Sequence, residues 1–360
     1  MSFEEAIDIF DAGRIKMDRQ TQRICFFTTA SLEDYGGGEK WLIAIANELV
    51  TRGFSVLVFG TKNKTQKRKS LQELESNIKF KYEEIEAKGW FFPFMLKQLP
   101  QIECDLIYVM GGYYFYIRQI LKLNGKKVYG GHDPSLMKPK TFFKKRILKS
   151  LLPKFDKIHA INKEELMWST YNKNTCVLEN TYFGPVLSYE KKPDNFTVLY
   201  YGRHEKIKGT ETVKYIVNNL DPTLSIIIAG AGTESESLKY NKQNLSFLGF
   251  INEDVLYGTI RKAHAVLFPS FTEVSPLVVY EVLGNYTPII YRNRDFNSVL
   301  NNIELCRKAD SDQEFLDQIY YLYTIFKTKR DYYDTMCSKL PSGIDSFENY
   351  IEKFIEIFIK

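Results

Sequence analysis

Short apolar runs alternate along most of this chain with stretches whose apolar positions recur at helical spacing. RICFFTTA at 23–30 holds an unbroken apolar run from Ile24 to Phe27, as a strand covered on both faces requires. A glycine-rich YGGGE follows. WLIAIANELVTRG then carries apolar residues at i, i+3 and i+4 and stops at Gly53, an amphipathic helix with a C-terminal glycine. FSVLVFG at 54–60, CDLIYVMGG at 104–112, KKVYGGHD at 126–133 and KIHAIN at 157–162 read as further buried strands. Strand–helix–strand alternation of this kind predicts a parallel sheet with helices on both faces.

The pattern breaks over 177–195, a polar stretch with two prolines that reads as a linker. A second series follows, with strands at 196–202, 223–232, 245–250, 265–270 and 287–293 and helices over 209–219, 253–263, 276–283 and 312–326. The expectation is an α/β protein of two Rossmann-like domains, 1–185 and 190–340. The C-terminal helix 345–360 is expected to pack back on the first domain. A chain of 360 residues exceeds one ordinary core.

Composition narrows the function classes. A net charge of +5 suits phosphate-bearing ligands or an anionic lipid surface. It is too small to point to nucleic acid. Cysteines at 25, 104, 176, 306 and 337 are dispersed, with no CxxC pair. They read as free thiols in a reducing compartment and not as a zinc site. No run is long and apolar enough for a membrane span, and MSFEEAIDIFDAG lacks the basic and apolar regions of a signal peptide. A cytoplasmic protein is expected.

Four segments carry candidate chemistry. In FPSFTEVSPLVVYEVLGNYTPII, 268–290, Ser275 and Pro276 suit the N-cap and first position of a helix. The amides of Leu277 and Val278 would then be open to an anion. Glu273 precedes that start and Glu281 lies within the helix, where carboxylates accept hydrogen bonds from sugar hydroxyls. A buried helix with a solvated Glu at each end fits the same spacing. In YYGRHEKIKGTET, 200–212, Arg203 and Lys208 stand in a loop between Gly202 and Gly209. They can neutralise a diphosphate, or simply form a basic surface loop. Gly36, Gly37 and Gly38 follow the first strand without the spacing of a dinucleotide fingerprint or a P-loop. Gly130-Gly131-His132-Asp133 ends a strand, where ligands of open α/β sheets bind. His159, His204 and His264 read as structural.

Taken in order, these segments resemble the family 4 retaining glycosyltransferases with the GT-B architecture, two Rossmann-like domains whose parallel sheets face across a cleft. The resemblance spans about 22 to 330. It rests on GGGE at 36–39, His132-Asp133, GRHEKIKG at 202–209, and EVSPLVVYE at 273–281 as the E-x7-E element. Val274 stands where the family often has Gly.

The resemblance implies roles. Arg203 and Lys208 would bind the donor diphosphate, and Ser275, Pro276, Leu277 and Val278 would present helix-start amides to it. Glu281 would hold the ribose, Glu273 the transferred sugar, and Phe250 and Ile251 would lie near the base. Gly37 and Gly38 would approach the donor phosphate or the acceptor, and His132 the reacting sugar. A metal-independent, retaining transfer from a UDP- or GDP-linked sugar to a glycan or lipid-linked hydroxyl is expected, with no cofactor. Asp310-Ser311-Asp312 reads as a helix cap rather than a metal site.

KPKTFFKKRILKSLLPKF, 138–155, is basic and amphipathic. It reads either as a helix lying on an anionic membrane or as one packed on the first domain. In the first case the protein would be peripheral on the inner membrane face. KGWFFPFML, 88–96, adds aromatic surface to the first case. The same fold also serves nucleotide-sugar epimerases, sugar-phosphate synthases and inactive glycan- or partner-binding scaffolds.

Overall fold

The computed structural model describes residues 21–62, 71–88, 95–132, 142–294, 299–301 and 303–360. Asp133, the run 89–94, residues 138–141 and the N-terminal residues 1–20 lie outside the described residues, as do the side chains of 142–145. The chain divides into two compact units, 1–179 with 348–360, and 180–347.

The first unit is built on strands β1 (Arg23–Thr28), β2 (Ser55–Lys62), β3 (Lys81–Lys88), β4 (Met95–Leu96), β5 (Leu106–Met110), β6 (Lys126–Gly130), β7 (Lys157–Ala160) and β8 (Thr175–Val177). Their order is β4-β3-β2-β1-β5-β6-β7-β8, parallel except for the β3–β4 pair. Helices α1 (Gly37–Thr51), α2 (Leu71–Glu75), α3 (Tyr114–Ile120) and α4 (Phe142–Leu151) connect them. Strand β1 is buried from Ile24 to Phe27, which accounts for its unbroken apolar run. Strand β3, KYEEIEAK, was not expected. Its exposed and half-buried charged residues hide a strand held by pairing to β2.

The second unit holds β9 (Thr197–Arg203), β10 (Ser225–Ala231), β11 (Leu245–Gly249), β12 (Ala265–Phe268), β13 (Ile289–Arg292) and β14 (Arg307–Ala309), in the order β11-β10-β9-β12-β13-β14. Its helices are α5 (Thr210–Asn219), α6 (Glu253–Lys262), α7 (Leu277–Gly284), α8 (Asp312–Thr328) and α9 (Arg330–Lys339). Strand alternation splits the core in two. Val198, Tyr200, Ile226 and Ile228 face α5 and α8 through Val213, Ile216, Phe315 and Ile319. Leu199, Tyr201, Val266 and Phe268 face α6 and α7 through Ile260, Val279 and Leu283.

Each sheet reverses its winding once, between β1 and β5 and between β9 and β12. Such reversals open a crevice at the carboxyl ends of the strands. Helix α10 (Phe347–Phe354), continued by a π turn to Ile359, closes the chain. From Glu348 onward it belongs to the first unit, where Trp41 Nε1 donates to Tyr350 Oη at 2.9 Å.

Two expectations are corrected and one open reading is narrowed. Residues 180–185, placed in the first domain on the sequence, belong to the second unit. Asn180 donates to Ser275, Thr181 donates to the Asp345 carbonyl, and Tyr182 packs against Tyr257. Cys25 and Cys104 are not free thiols. Parallel pairing of β1 with β5 sets their Cα atoms 6.3 Å apart, within disulfide reach, and they are bonded. Cys176, Cys306 and Cys337 remain free. Finally, of the two readings of 138–155, Leu151 and Leu152 follow the packed one and not the membrane-lying one, since both are buried in the first unit.

Candidate active site

In the second unit, sequence-distant groups meet at the carboxyl ends of β9 and β12. Strand β9 runs out through Arg203 into a single 3-10 turn, Lys206–Lys208, that ends at Gly209 with φ +80. A Cβ at Gly209 would meet the backbone oxygen and ring of Pro269, so this loop and the loop after β12 touch only because residue 209 is glycine. The amide of Phe271 donates to the Ile207 carbonyl at 2.9 Å and locks the two loops together. Buried His204 anchors the first loop from below, with Nδ1 2.9 Å from Ser235 Oγ and Nε2 3.1 Å from the Ala229 carbonyl. It is structural, as expected, and so is buried His264, held between the Thr197 amide and the Pro193 carbonyl.

This geometry brings Lys208 Nζ within 2.5 Å of Glu273 Oε1, with both side chains mostly buried. Arg203 is about half exposed and pairs with Glu205 at 3.3 Å. The partly buried ion pair and the half-exposed guanidinium supply both charge signs, cation for phosphate and carboxylate for hydroxyl.

The helix start differs from expectation by one residue. Pro276, with ψ 117, is the N-cap of α7, and its carbonyl accepts from the Val279 amide at 3.1 Å. Ser275 does not cap; Asn180 Nδ2 donates to both its hydroxyl (3.0 Å) and its carbonyl (3.1 Å). The amides of Leu277 and Val278 remain the first two of the helix, without hydrogen-bond partners among the described residues. They still form an anion-directed end. Val274 is buried.

Glu281 lies one face deeper, 7% exposed, and accepts from Tyr201 Oη at 2.8 Å. Burial, and then the Glu281 charge, push the Tyr201 hydroxyl far above its ordinary range, so it stays a donor. Sequence reasoning missed Tyr201. Strand alternation puts it on the α7 face, but only the register of β9 against β12 shows that it reaches Glu281. Phe250, after β11, is 53% exposed, and neighbouring Ile251 packs on the core.

In the first unit, the glycine loop is largely the helix itself. Gly36 is the N-cap of α1, its amide donates to Glu39 Oε2 at 2.8 Å, and Gly37 and Gly38 form the first turn. His132 follows β6, half-buried, with the Trp41 ring packed 4.4 Å from it at a tilt of 48°. Its Nε2 is 3.2 Å from Tyr108 Oη. Burial holds its pKa well below the ordinary histidine value, and nearby His159 adds to that. His159 was expected to be merely structural, and buried it is, but it also bonds Tyr108.

Asp310 and Asp312 serve the start of α8. Ser311 Oγ accepts from the Glu314 amide, and Asp312 accepts from Thr212 at 2.6 Å. Among the described residues no group of three His, Cys, Asp or Glu side chains could hold a metal ion, and no helix is long and apolar enough to cross a membrane.

Fold and site thus define a two-unit α/β protein with an anion-directed helix start flanked by carboxylates. Two family descriptions match it, "Glycosyltransferase Family 4" over residues 35–167 and "Glycosyl transferases group 1" over 188–324. The chain is a glycosyltransferase of the GT-B fold, family 4 in its first unit and group 1 in its second. No curated protein matches it significantly in sequence.

Solved structures share the fold at low identity. HepE from Anabaena, in complex with UDP and glucose, is 16% identical, with 93% of this chain and 98% of that chain covered and a TM-score of 0.72. Sucrose-phosphate synthase from Thermosynechococcus elongatus is 15% identical, with 94% and 98% covered and a TM-score of 0.72. A mutant of S. aureus TarM, in complex with fondaparinux, alpha-GlcNAc-glycerol and UDP, is 10% identical, with 94% and 100% covered and a TM-score of 0.69.

Proposed function

We propose that this glycosyltransferase is a retaining, metal-independent enzyme that moves a sugar from a UDP- or GDP-linked donor to a hydroxyl of a glycan or lipid-linked acceptor. The observation that carries the reading is the Lys208–Glu273 pair at 2.5 Å beside the start of α7. Departure of a nucleoside diphosphate concentrates negative charge on one phosphate, so stabilising that charge is the main catalytic demand. Arg203, Lys208 and the amides of Leu277 and Val278 supply positive charge and donors without a divalent cation. When Lys208 turns to the phosphate, Glu273 is released to accept from a sugar hydroxyl. Glu281, held by Tyr201, takes the ribose hydroxyls, and exposed Phe250 offers a face to the base. UDP in the HepE and TarM complexes supports uridine as the base.

His132 would contact the transferred sugar, and the leaving phosphate would take the acceptor proton, which delivers the new bond on the face that the nucleotide leaves. Exposed Arg146 and Lys149 on α4 retain the electrostatic part of a peripheral membrane contact. Its apolar part is reduced by the burial of Leu151 and Leu152.

The test is nucleotide release from UDP-sugars and GDP-sugars supplied singly, with EDTA present, and analysis of the anomeric configuration of the product. Turnover abolished by EDTA would remove the metal-free claim, and an inverted product the retaining one.

A further inference from the structure

A chain of hydrogen bonds runs inward from His132 through the first unit. Tyr108 Oη lies 3.2 Å from His132 Nε2 and 2.6 Å from His159 Nδ1, and His159 Nε2 lies 2.8 Å from the Leu178 carbonyl. Gly130 exists for this chain, since a Cβ there would overlap the Tyr108 hydroxyl.

The proton positions follow from the far end. A carbonyl only accepts, so His159 Nε2 carries a proton and donates to Leu178. His159 is fully buried, with the Phe358 ring 4.6 Å and the Phe354 ring 6.1 Å away. Burial holds it down to about 4, so its ring is neutral at neutral pH and Nδ1 is a bare acceptor. The Tyr108 hydroxyl must therefore donate to His159. With its single proton committed, Tyr108 oxygen can only accept from His132 Nε2. The reverse polarity would need an imidazolium at His159 inside this aromatic shell. The other groups facing Tyr108 are Tyr129, Glu165 and Tyr350, and their electrostatic influence pushes the phenol further from ionising.

We infer that Tyr108 and His159 are positioning residues that fix His132 in its Nε2–H tautomer, leaving Nδ1 as the acceptor for a substrate hydroxyl. The Trp41 ring, tilted 48° against it at 4.4 Å, limits the ring's movement, and the bond from Nε2 fixes its rotation. The C-terminal residues Tyr350, Phe354 and Phe358 keep the chain dry, with Tyr350 tied to Trp41. This inference rests on the reading of His132 as the residue that meets the transferred sugar.

The experiment is imidazole 15N NMR of the full-length, histidine-labelled protein, paired with steady-state kinetics. Wild type at neutral pH is expected to show His132 protonated at Nε2 and bare at Nδ1. Tyr108→Phe keeps the buried ring but removes both bonds. It is expected to give a tautomer mixture at His132 and a turnover about 10-fold lower, with the donor KM nearly unchanged. A wild-type His132 protonated at Nδ1 overturns the inference, and that spectrum needs no variant to fold. So does a Tyr108→Phe protein with the wild-type tautomer and turnover. Absence of turnover with every nucleotide sugar would defeat the proposed donor chemistry, while the wild-type spectrum would still decide the tautomer.

Discussion

Lys208 Nζ and Glu273 Oε1 stand 2.5 Å apart across 65 residues of sequence. Lys208 ends a single 3-10 turn and Glu273 lies in a loop, so local structure alone does not bring them together. The contact exists because Gly209 lets the loop after β9 press on Pro269, and because Phe271 bonds back to Ile207. The pair keeps a cation and a carboxylate ready where a diphosphate and a sugar would each claim one.

Lys208→Ala should therefore lower turnover about 100-fold, the usual consequence of deleting one group that stabilises a developing anion. Nucleotide release under saturating donor measures it. Turnover within a factor of two of wild type would contradict the role given to Lys208.

Glu281→Ala should weaken donor binding about 30-fold or more, because hydrogen bonds to a charged carboxylate contribute about 2 kcal/mol each. Tyr201→Phe removes the 2.8 Å bond that holds Glu281, together with a weaker 3.4 Å contact to the Val278 carbonyl, and should weaken binding by roughly 3- to 10-fold. Calorimetry with UDP and GDP reads both. Equal affinity in wild type and Glu281→Ala would remove the ribose assignment.

The buried histidines set an acid limit on stability. His159 is held down to about 4 and His264 to about 3 by burial, against an ordinary 6.5. In that interval the unfolded chain binds protons that the folded chain refuses, so stability is full above about 6.5 and lost as pH falls. His159 alone accounts for up to about 3 kcal/mol near pH 4. The thermal midpoint should fall steadily over that range. A midpoint flat down to about pH 4.5 would be inconsistent with neutral buried rings.

Denatured, non-reduced protein should titrate three of its five thiols, leaving Cys176, Cys306 and Cys337 reactive. Reduction should cost about 4 kcal/mol, because the Cys25–Cys104 bond closes a loop across 79 residues. Five reactive thiols without reductant would show the bridge to be absent.

The strands with unbroken apolar runs, β1, β2, β5, β9, β10 and β12, were legible because burial on both faces leaves no polar alternation to confuse the reading. Strand β3 was not, since its residues read as a charged surface segment until β2 pairs with them. The order of the site segments was equally legible. EVSPLVVYE announces a helix start through its Ser-Pro step, whereas GRHEKIKG by itself reads equally as a basic surface loop and is marked as a phosphate loop only by the family resemblance. Which group meets which was not. Ser275 satisfies every local rule for a cap, yet Asn180 takes its oxygen and Pro276 caps instead. The tail could be recognised as an amphipathic helix, but no local signal tells that Phe354 and Phe358 enclose His159.

The sequence by itself thus determined the α/β alternation, the starts of α5, α6, α7 and α8 to within a residue, and the cations and carboxylates from which a donor site can be built. Those depend on periodicity and on backbone preferences within a few residues. The tertiary structure alone decided that Lys208 meets Glu273, that Tyr201 holds Glu281, that Cys25 joins Cys104, and that His132 connects through Tyr108 to His159. Each depends on strand order and register, which bring together side chains tens of residues apart or more and remove them from water. Burial then fixes their protons and partners.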